Sequence, residues 1–293
     1  MLLSEIKGIN FLKDGYFENF GKLGRIWEDM TISFINSEKY LKHINEKITC
    51  IVCTEELIKY FVDKDIGIVV SKKPKNTFYE IYYQLYLNGY FKYAENKISD
   101  KAYISPRAVI AKSGVIIGDN CVIEDNAVIL EGSILEENVI VRNNSIIGCE
   151  GFEVANIFGV NKVVPHTGYC VLRKNVEILH NVCICKGLFR GYDTIIGENV
   201  KIDNFTQIAH AVKIGKNSEI AGGTVISGNT EIGENAWIGP NATISNGLKI
   251  GNNVHISIGA VVVNDLDDKE KVSGNFAYEH RNFLKDFIAK KIR

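Results

Sequence analysis

Lys201-Ile-Asp-Asn-Phe-Thr-Gln-Ile-Ala-His210 gathers an acid, two amides and a histidine within eight residues. A histidine titrates near neutral pH, so His210 is suited to take a proton from an ammonium nucleophile. Asp203 is placed in sequence to orient that ring or to stabilise its charged form. Asn204 and Gln207 offer hydrogen-bonding groups to a bound substrate. The plainer role for His210 is that of a polar turn residue. His166 is a second candidate base because it lies in a long irregular loop. Metal chemistry fits poorly: His180, His210 and His255 are widely spaced and form no close pair, so no metal ligand set is expected.

The scaffold for these residues is a six-residue ladder. Every sixth residue from Leu172 to Val262 is aliphatic in fifteen of sixteen cases, Arg190 being the exception. No helix has a period of six, and a simple amphipathic strand has a period of two. The pattern is that of a parallel β-helix of hexapeptides, three flat faces to a coil. An earlier block places Ile104, Ile110, Ile117, Ile123, Ile129, Leu135, Val141 and Ile147 inward, with one extra residue near Ile116. Asp119-Asn120, Asp125-Asn126, Glu137-Asn138 and Asn143-Asn144 fill the corners, where Asn and Asp tolerate a left-handed backbone. The two blocks make about eight coils, a prism roughly 38 Å long at strand spacing. Between them, residues 148–171 form a loop with Gly, Pro and aromatics, a length that usually signals function or an interface. Arg190 opens the segment RGYDT shortly before His210, which places the site at that end of the ladder.

Composition narrows the rest. The chain has 293 residues, 24 % of them charged, and a formal net charge of −1. No bulk attraction to nucleic acid follows, and no apolar run is long enough to span a membrane. Seven cysteines and no secretory signal favour a reducing cytoplasm. Cys50 and Cys53 read as inert thiols of a buried strand, and Cys183 and Cys185 as outward-facing positions flanking Ile184. Residues 1–102 read as a small α/β domain with strands at 30–35, 48–53 and 66–71. Helices are expected at 54–64, with Thr54 as N-cap, and at 77–88, ending at Gly89. Residues 103–264 form the solenoid. Residues 265–293 form a helical cap, entered through Ser273-Gly274-Asn275 and bearing a basic last turn.

Three segments carry a family resemblance: residues 176–215, with DNFTQIAH at 203–210; GCEGFEV at 148–154, followed by VVPHTG; and ISFINSEKY at 32–40. Together they resemble the UDP-3-O-acylglucosamine N-acyltransferases and related nucleotide-sugar N-acyltransferases. The resemblance implies a mainly β fold, a left-handed parallel β-helix with an N-terminal small α/β domain and a short C-terminal helix, assembled as a homotrimer. It makes His210 the general base and residues 1–102 a nucleotide-binding domain, with a base held between Phe34 and Tyr40 and contacted near Asn36. His166 joins Asp203, Asn204 and Gln207 in contacting substrate. Backbone N–H groups of Ala221-Gly222-Gly223 are expected to meet the oxyanion. The donor is acyl-CoA or acyl-carrier protein, with no permanently bound cofactor.

Ser37 stands where the family has an asparagine, and Leu248 where it has a second histidine. The C-terminal segment and the first solenoid block are both short. These differences favour a dTDP- or UDP-linked amino-deoxysugar of a surface glycan as acceptor, with UDP-3-O-(3-hydroxyacyl)glucosamine of lipid A synthesis as the alternative. A non-catalytic hexapeptide scaffold is the remaining reading.

Overall fold

The computed structural model describes residues 1–26, 28–274, 276–277 and 279–291. Parallel pairing stacks the hexads into three sheets. The first face has nine strands, from Tyr103–Ile104 to Lys271–Val272. The second has eight, from Val109–Ile110 to Val261–Val262, and the third eight, from Lys97–Ile98 to Lys249–Ile250. The prism therefore reaches a few residues beyond 103–264 at both ends.

Each strand is only two to four residues long, so side chains stack directly on their equivalents in the next coil. Ile178, Ile202, Ile220, Ile238 and Ile256 form one such ladder, and Ile184, Ile208, Ile226, Ile244 and Val262 another. Nearly every rung is fully buried. The corners are held by asparagines at φ near +60°, a backbone region in which Asn is far less strained than most residues. At one corner Asn120, Asn138, Asn175, Asn199, Asn217 and Asn235 hand a hydrogen bond from coil to coil at 3.0–3.3 Å.

Arg190 is not a rung. The third-face strands Cys170–Leu172 and Thr194–Ile196 pair directly, so the chain between Cys185 and Thr194 makes one coil longer by six residues. An excursion of one whole hexad leaves the periodicity unchanged, which is why it reads as an unbroken ladder. Arg190 instead donates from Nη2 to the Lys92 carbonyl at 2.6 Å and lies over the Tyr93 ring.

The N-terminal domain is a five-stranded sheet in the order β1-β5-β4-β3-β2. Its strands are β1 (Phe11–Lys13), β2 (Asn19–Phe20), β3 (Thr31–Ile35), β4 (Ile48–Cys53) and β5 (Gly67–Val70). Only β1 is antiparallel. Helix α1 (Pro74–Leu87) covers the sheet, starting three residues before its expected start because Pro74 suits the first helical turn. The expected helix at 54–64 is a 3₁₀ helix, Glu55–Tyr60, and the Thr54 side chain makes no cap bond. Burial pushes the Cys50 thiol up to about 12 and Cys53 to about 11, so neither is reactive. Cys183 is half-exposed, whereas Cys185 is buried, contrary to the outward reading, because the strand turns into the six-residue excursion there.

Residues 148–171 hold a hairpin, Val154–Ile157 with Val160–Val163, which packs on α1. Ala155, Ile157, Val164, Phe189 and Tyr192 share one apolar core with Phe20, Phe78, Tyr79 and Tyr82. The loop and the excursion thereby clamp the domain to the prism. Helix α2 (His280–Lys291) ends the described chain; Asn275, Ile292 and Arg293 lie outside the described residues.

Candidate active site

His210 sits at the corner between second-face strand Gln207–Ile208 and third-face strand Lys213–Ile214. The next residue, Ala211, takes φ +56°, where other coils have Gly132, Asn229 and Gly247 at this corner, and its N–H donates to Thr194 Oγ1 at 2.9 Å. That bond helps hold a conformation that is costly for alanine. The same corner carries Gly228 one coil above and Asn246 two coils above.

Around this corner is a cleft of about 430 Å³. The prism contributes Gln207, Ala209, His210, Ser227, Gly228, Asn229 and Asn246. Lys22 enters from the β2–β3 connection, and Phe152 and Glu153 from the long loop. Glu153 Oε1 accepts hydrogen bonds from Lys22 Nζ at 2.8 Å and Tyr79 OH at 2.6 Å, tying the N-terminal domain to the cleft wall. Arg25 reaches the same corner and donates to the Asn229 carbonyl at 3.3 Å. Phe152, 85 % exposed, stands at the mouth.

His210 is 9 % exposed, and its Nε2 lies 3.5 Å from Asn229 Nδ2. Burial, and then the neighbouring His166, Lys22 and Arg25, lower its pKa to about 4, with Glu153 pulling the other way. The imidazole is therefore an uncharged base at neutral pH. A Cβ on Gly228 would lie 2.7 Å from the ring, so glycine is what permits this approach. The Gly228 N–H donates to no protein acceptor in the described hydrogen bonds.

His166 is buried with its ring 5.4 Å from that of His210, so the long loop brings both candidate bases together. Gln207 lines the cleft; Asp203 and Asn204 do not. Those two occupy the corner between the first and second faces. Asp203 Oδ1 accepts the Asn204 N–H at 2.7 Å and Oδ2 the Gly222 N–H at 3.1 Å. Asn204 Oδ1 accepts the His180 N–H at 2.9 Å. Asp203 is thus engaged in shaping its own corner and makes no bond to His210.

The expectation for Ala221-Gly222-Gly223 is corrected on the same ground. Their N–H groups are committed to Ile238 O, Asp203 Oδ2 and Asn204 O, at a different corner from His210. Phe34 packs on the Phe78 ring at 5.1 Å, Tyr40 is 38 % exposed on the 3₁₀ helix Glu38–His43, and Asn36 is exposed. None of these three lines the His210 cleft. No role for Lys22, Glu150, Glu153, Gly228, Asn229 or Asn246 is legible in the sequence, although Glu150 and Glu153 fall within the GCEGFEV segment. Counting one and two 18-residue coils forward from His210 finds Gly228 and Asn246; the others depend on how the loops fold back. Among the described residues no group of three or more His, Cys, Asp or Glu is arranged to hold a metal ion.

The stacked hexads form a left-handed parallel β-helix of the hexapeptide class, with the histidine cleft at one corner. The family described as bacterial transferase hexapeptide (six repeats) matches residues 114–149, 193–228 and 229–264. UDP-3-O-acylglucosamine N-acyltransferase 1 of Legionella pneumophila (strain Paris) is 46 % identical over 70 residues, 24 % of this chain and 19 % of that protein. UDP-3-O-acylglucosamine N-acyltransferase of Chlamydia pneumoniae is 41 % identical over 71 residues, with the same shares. The chain thus spans about a fifth of the length of these curated relatives. The structure of Francisella novicida UDP-N-acetylglucosamine acyltransferase shares the fold, with a TM-score of 0.50 and 19 % identity over 66 % of this chain and 71 % of that one.

Proposed function

We propose that this chain is an N-acyltransferase that moves an acyl group from a thioester to the amine of a nucleotide-linked amino sugar, with His210 as the base. The observation that carries the reading is a buried imidazole, its pKa lowered by burial, opening into a cleft of about 430 Å³. The substrate amine attacks the thioester carbonyl; the N–C bond forms and the C–S bond breaks. The amine proton passes to His210 Nε2 and then to the departing thiolate. The unpaired Gly228 N–H is the donor best placed for the oxyanion.

The names of the curated relatives favour UDP-3-O-acylglucosamine as the acceptor over an amino-deoxysugar. Leu248 supports the second acceptor, since it packs against the prism core and presents no polar group where the family has a histidine. The donor is acyl-CoA or acyl-carrier protein. Apolar side chains exposed on the prism, among them Val109, Val261 and Val263, suit assembly as a homotrimer. A cytoplasmic location fits these substrates; among the described residues no helix is long and apolar enough to cross a membrane.

The test incubates purified chain with UDP- and dTDP-amino sugars, UDP-3-O-acylglucosamine, and short- and long-chain donors, scoring thiol release and the N-acylated product by mass spectrometry. Turnover of one acceptor is expected, reduced ~10²–10⁴-fold in His210→Ala. Absence of thiol release with every pair would support a non-catalytic scaffold.

A further inference from the structure

Among the described residues three buried side-chain nitrogens have no hydrogen-bond partner: His166 Nε2, His210 Nδ1 and Arg190 Nε. Buried polar atoms are seldom left so. The two histidine nitrogens converge on one place. A Cβ on Gly151 would lie 2.7 Å from His166 Nε2 and 2.9 Å from His210 Nδ1. Gly151 thus leaves open the small space that both orphan atoms face.

The other side of His166 fixes its tautomer. Its Nδ1 lies 2.9 Å from the Val164 carbonyl oxygen and 3.1 Å from Glu150 Oε2. Both are acceptors, so Nδ1 carries the hydrogen and Nε2 is a bare lone pair in the neutral ring. Glu150 is itself anchored by accepting the His166 backbone N–H at 2.8 Å. Burial acts to raise the Glu150 pKa, but its bonds and charge interactions with His166 outweigh this and hold it low.

A neutral His210 has one N–H to place. On Nδ1 it meets the His166 lone pair; on Nε2 it points at the Asn229 amide and the cleft. Only the first choice leaves Nε2 free to accept a proton from substrate. We propose that His166, held by Glu150, is a positioning residue that keeps His210 in the Nδ1–H tautomer. The link crosses the space beside Gly151, directly or through one water. When His210 is protonated, its Nδ1–H donates toward His166 Nε2, with the Glu150 carboxylate behind. The remaining charges around His210 are Glu153, Lys22 and Arg25. The catalytic consequence rests on the proposed function; the tautomer does not.

The test is ¹⁵N NMR of histidine-labelled full-length chain at pH 7, with His210 assigned through His210→Gln. In wild type, His210 should show a protonated Nδ1 and a bare Nε2. In His166→Phe, which keeps a ring but no acceptor, the hydrogen should move to Nε2 in a substantial fraction. Glu150→Gln keeps the volume and serves if the first variant does not fold; it should shift the same equilibrium part of the way. For acyl transfer, kcat should fall about 10-fold in His166→Phe with little change in KM, less than the loss on removing the base itself. An Nε2–H tautomer in wild type, or a tautomer indifferent to both substitutions, overturns the proposal. A tautomer that responds in a chain without acyl-transfer activity upholds the link and overturns the function instead.

Discussion

Acidifying the protein should expose His210 directly. Its folded pKa of about 4 lies below the ordinary 6.5, because burial penalises the cation. The unfolded chain therefore binds the proton first as pH falls, and stability must be lost between those two values. His210's contribution is complete above about pH 6.5 and gone below about pH 4. From pH 7 to pH 4.5 the loss works out at ~2.5 kcal/mol. Glu150 and Glu153 both titrate below the usual glutamate value of 4.5, so most of that window belongs to histidine.

Comparing denaturant midpoints of wild type and His210→Gln at both pH values isolates the one ring, since the other histidines are common to both. Wild type should lose ~2.5 kcal/mol more than the variant over this interval. The His210 ring signals should titrate near pH 4. Removing the Lys22 charge should raise that midpoint, and removing the Glu153 charge should lower it. A midpoint at or above 6, or equal acid sensitivity in the two proteins, would refute a buried neutral base.

Three further outcomes follow from the packing. Gly151→Ala drives a methyl to within 2.7–2.9 Å of two buried histidine nitrogens; it should cost ~1–3 kcal/mol in a denaturation experiment and sharply reduce turnover. Phe189→Ala removes a fully buried ring from the core shared by the excursion and the N-terminal domain, at a cost of ~3–5 kcal/mol, and limited proteolysis should then release that domain first. Asn217→Ala interrupts the corner ladder and places alanine at φ +58°, which should lower stability by ~1–2 kcal/mol without touching activity.

How much of this was legible in the sequence depended on the range of the interaction. The hexad rungs were readable because each inward residue meets its equivalent one coil away, so the pattern is local and repetitive. The core of the N-terminal sheet was readable from ITCIVC and its neighbours for the same reason. Arg190 misled because a six-residue excursion is invisible to a six-residue count. Asp203 misled because residues seven apart in a solenoid stand on different corners, so closeness in sequence ran against closeness in space. Glu150 and Gly151 could not be read at all: their roles exist only once the loop folds back over His210.

The placement of the two insertions explains why a prism should have a site at this corner. A regular prism is smooth, and its flat faces offer no concavity. Here the long loop leaves after second-face strand Ile146–Cys149 and returns as third-face strand Cys170–Leu172. The six-residue excursion leaves after Cys183–Cys185 and returns as Thr194–Ile196, at the same corner one coil later. The following coil at that corner carries His210. Both insertions bury their apolar residues against the N-terminal domain, and that domain in turn delivers Lys22 and Arg25 to the corner. The cleft is therefore a product of the clamp. Loosening the clamp at Phe189 should disturb the His210 titration even though that ring does not line the cleft, whereas truncating Ile256, three coils above Lys201–Ile202 on the first face, should destabilise the prism and leave the titration where it was.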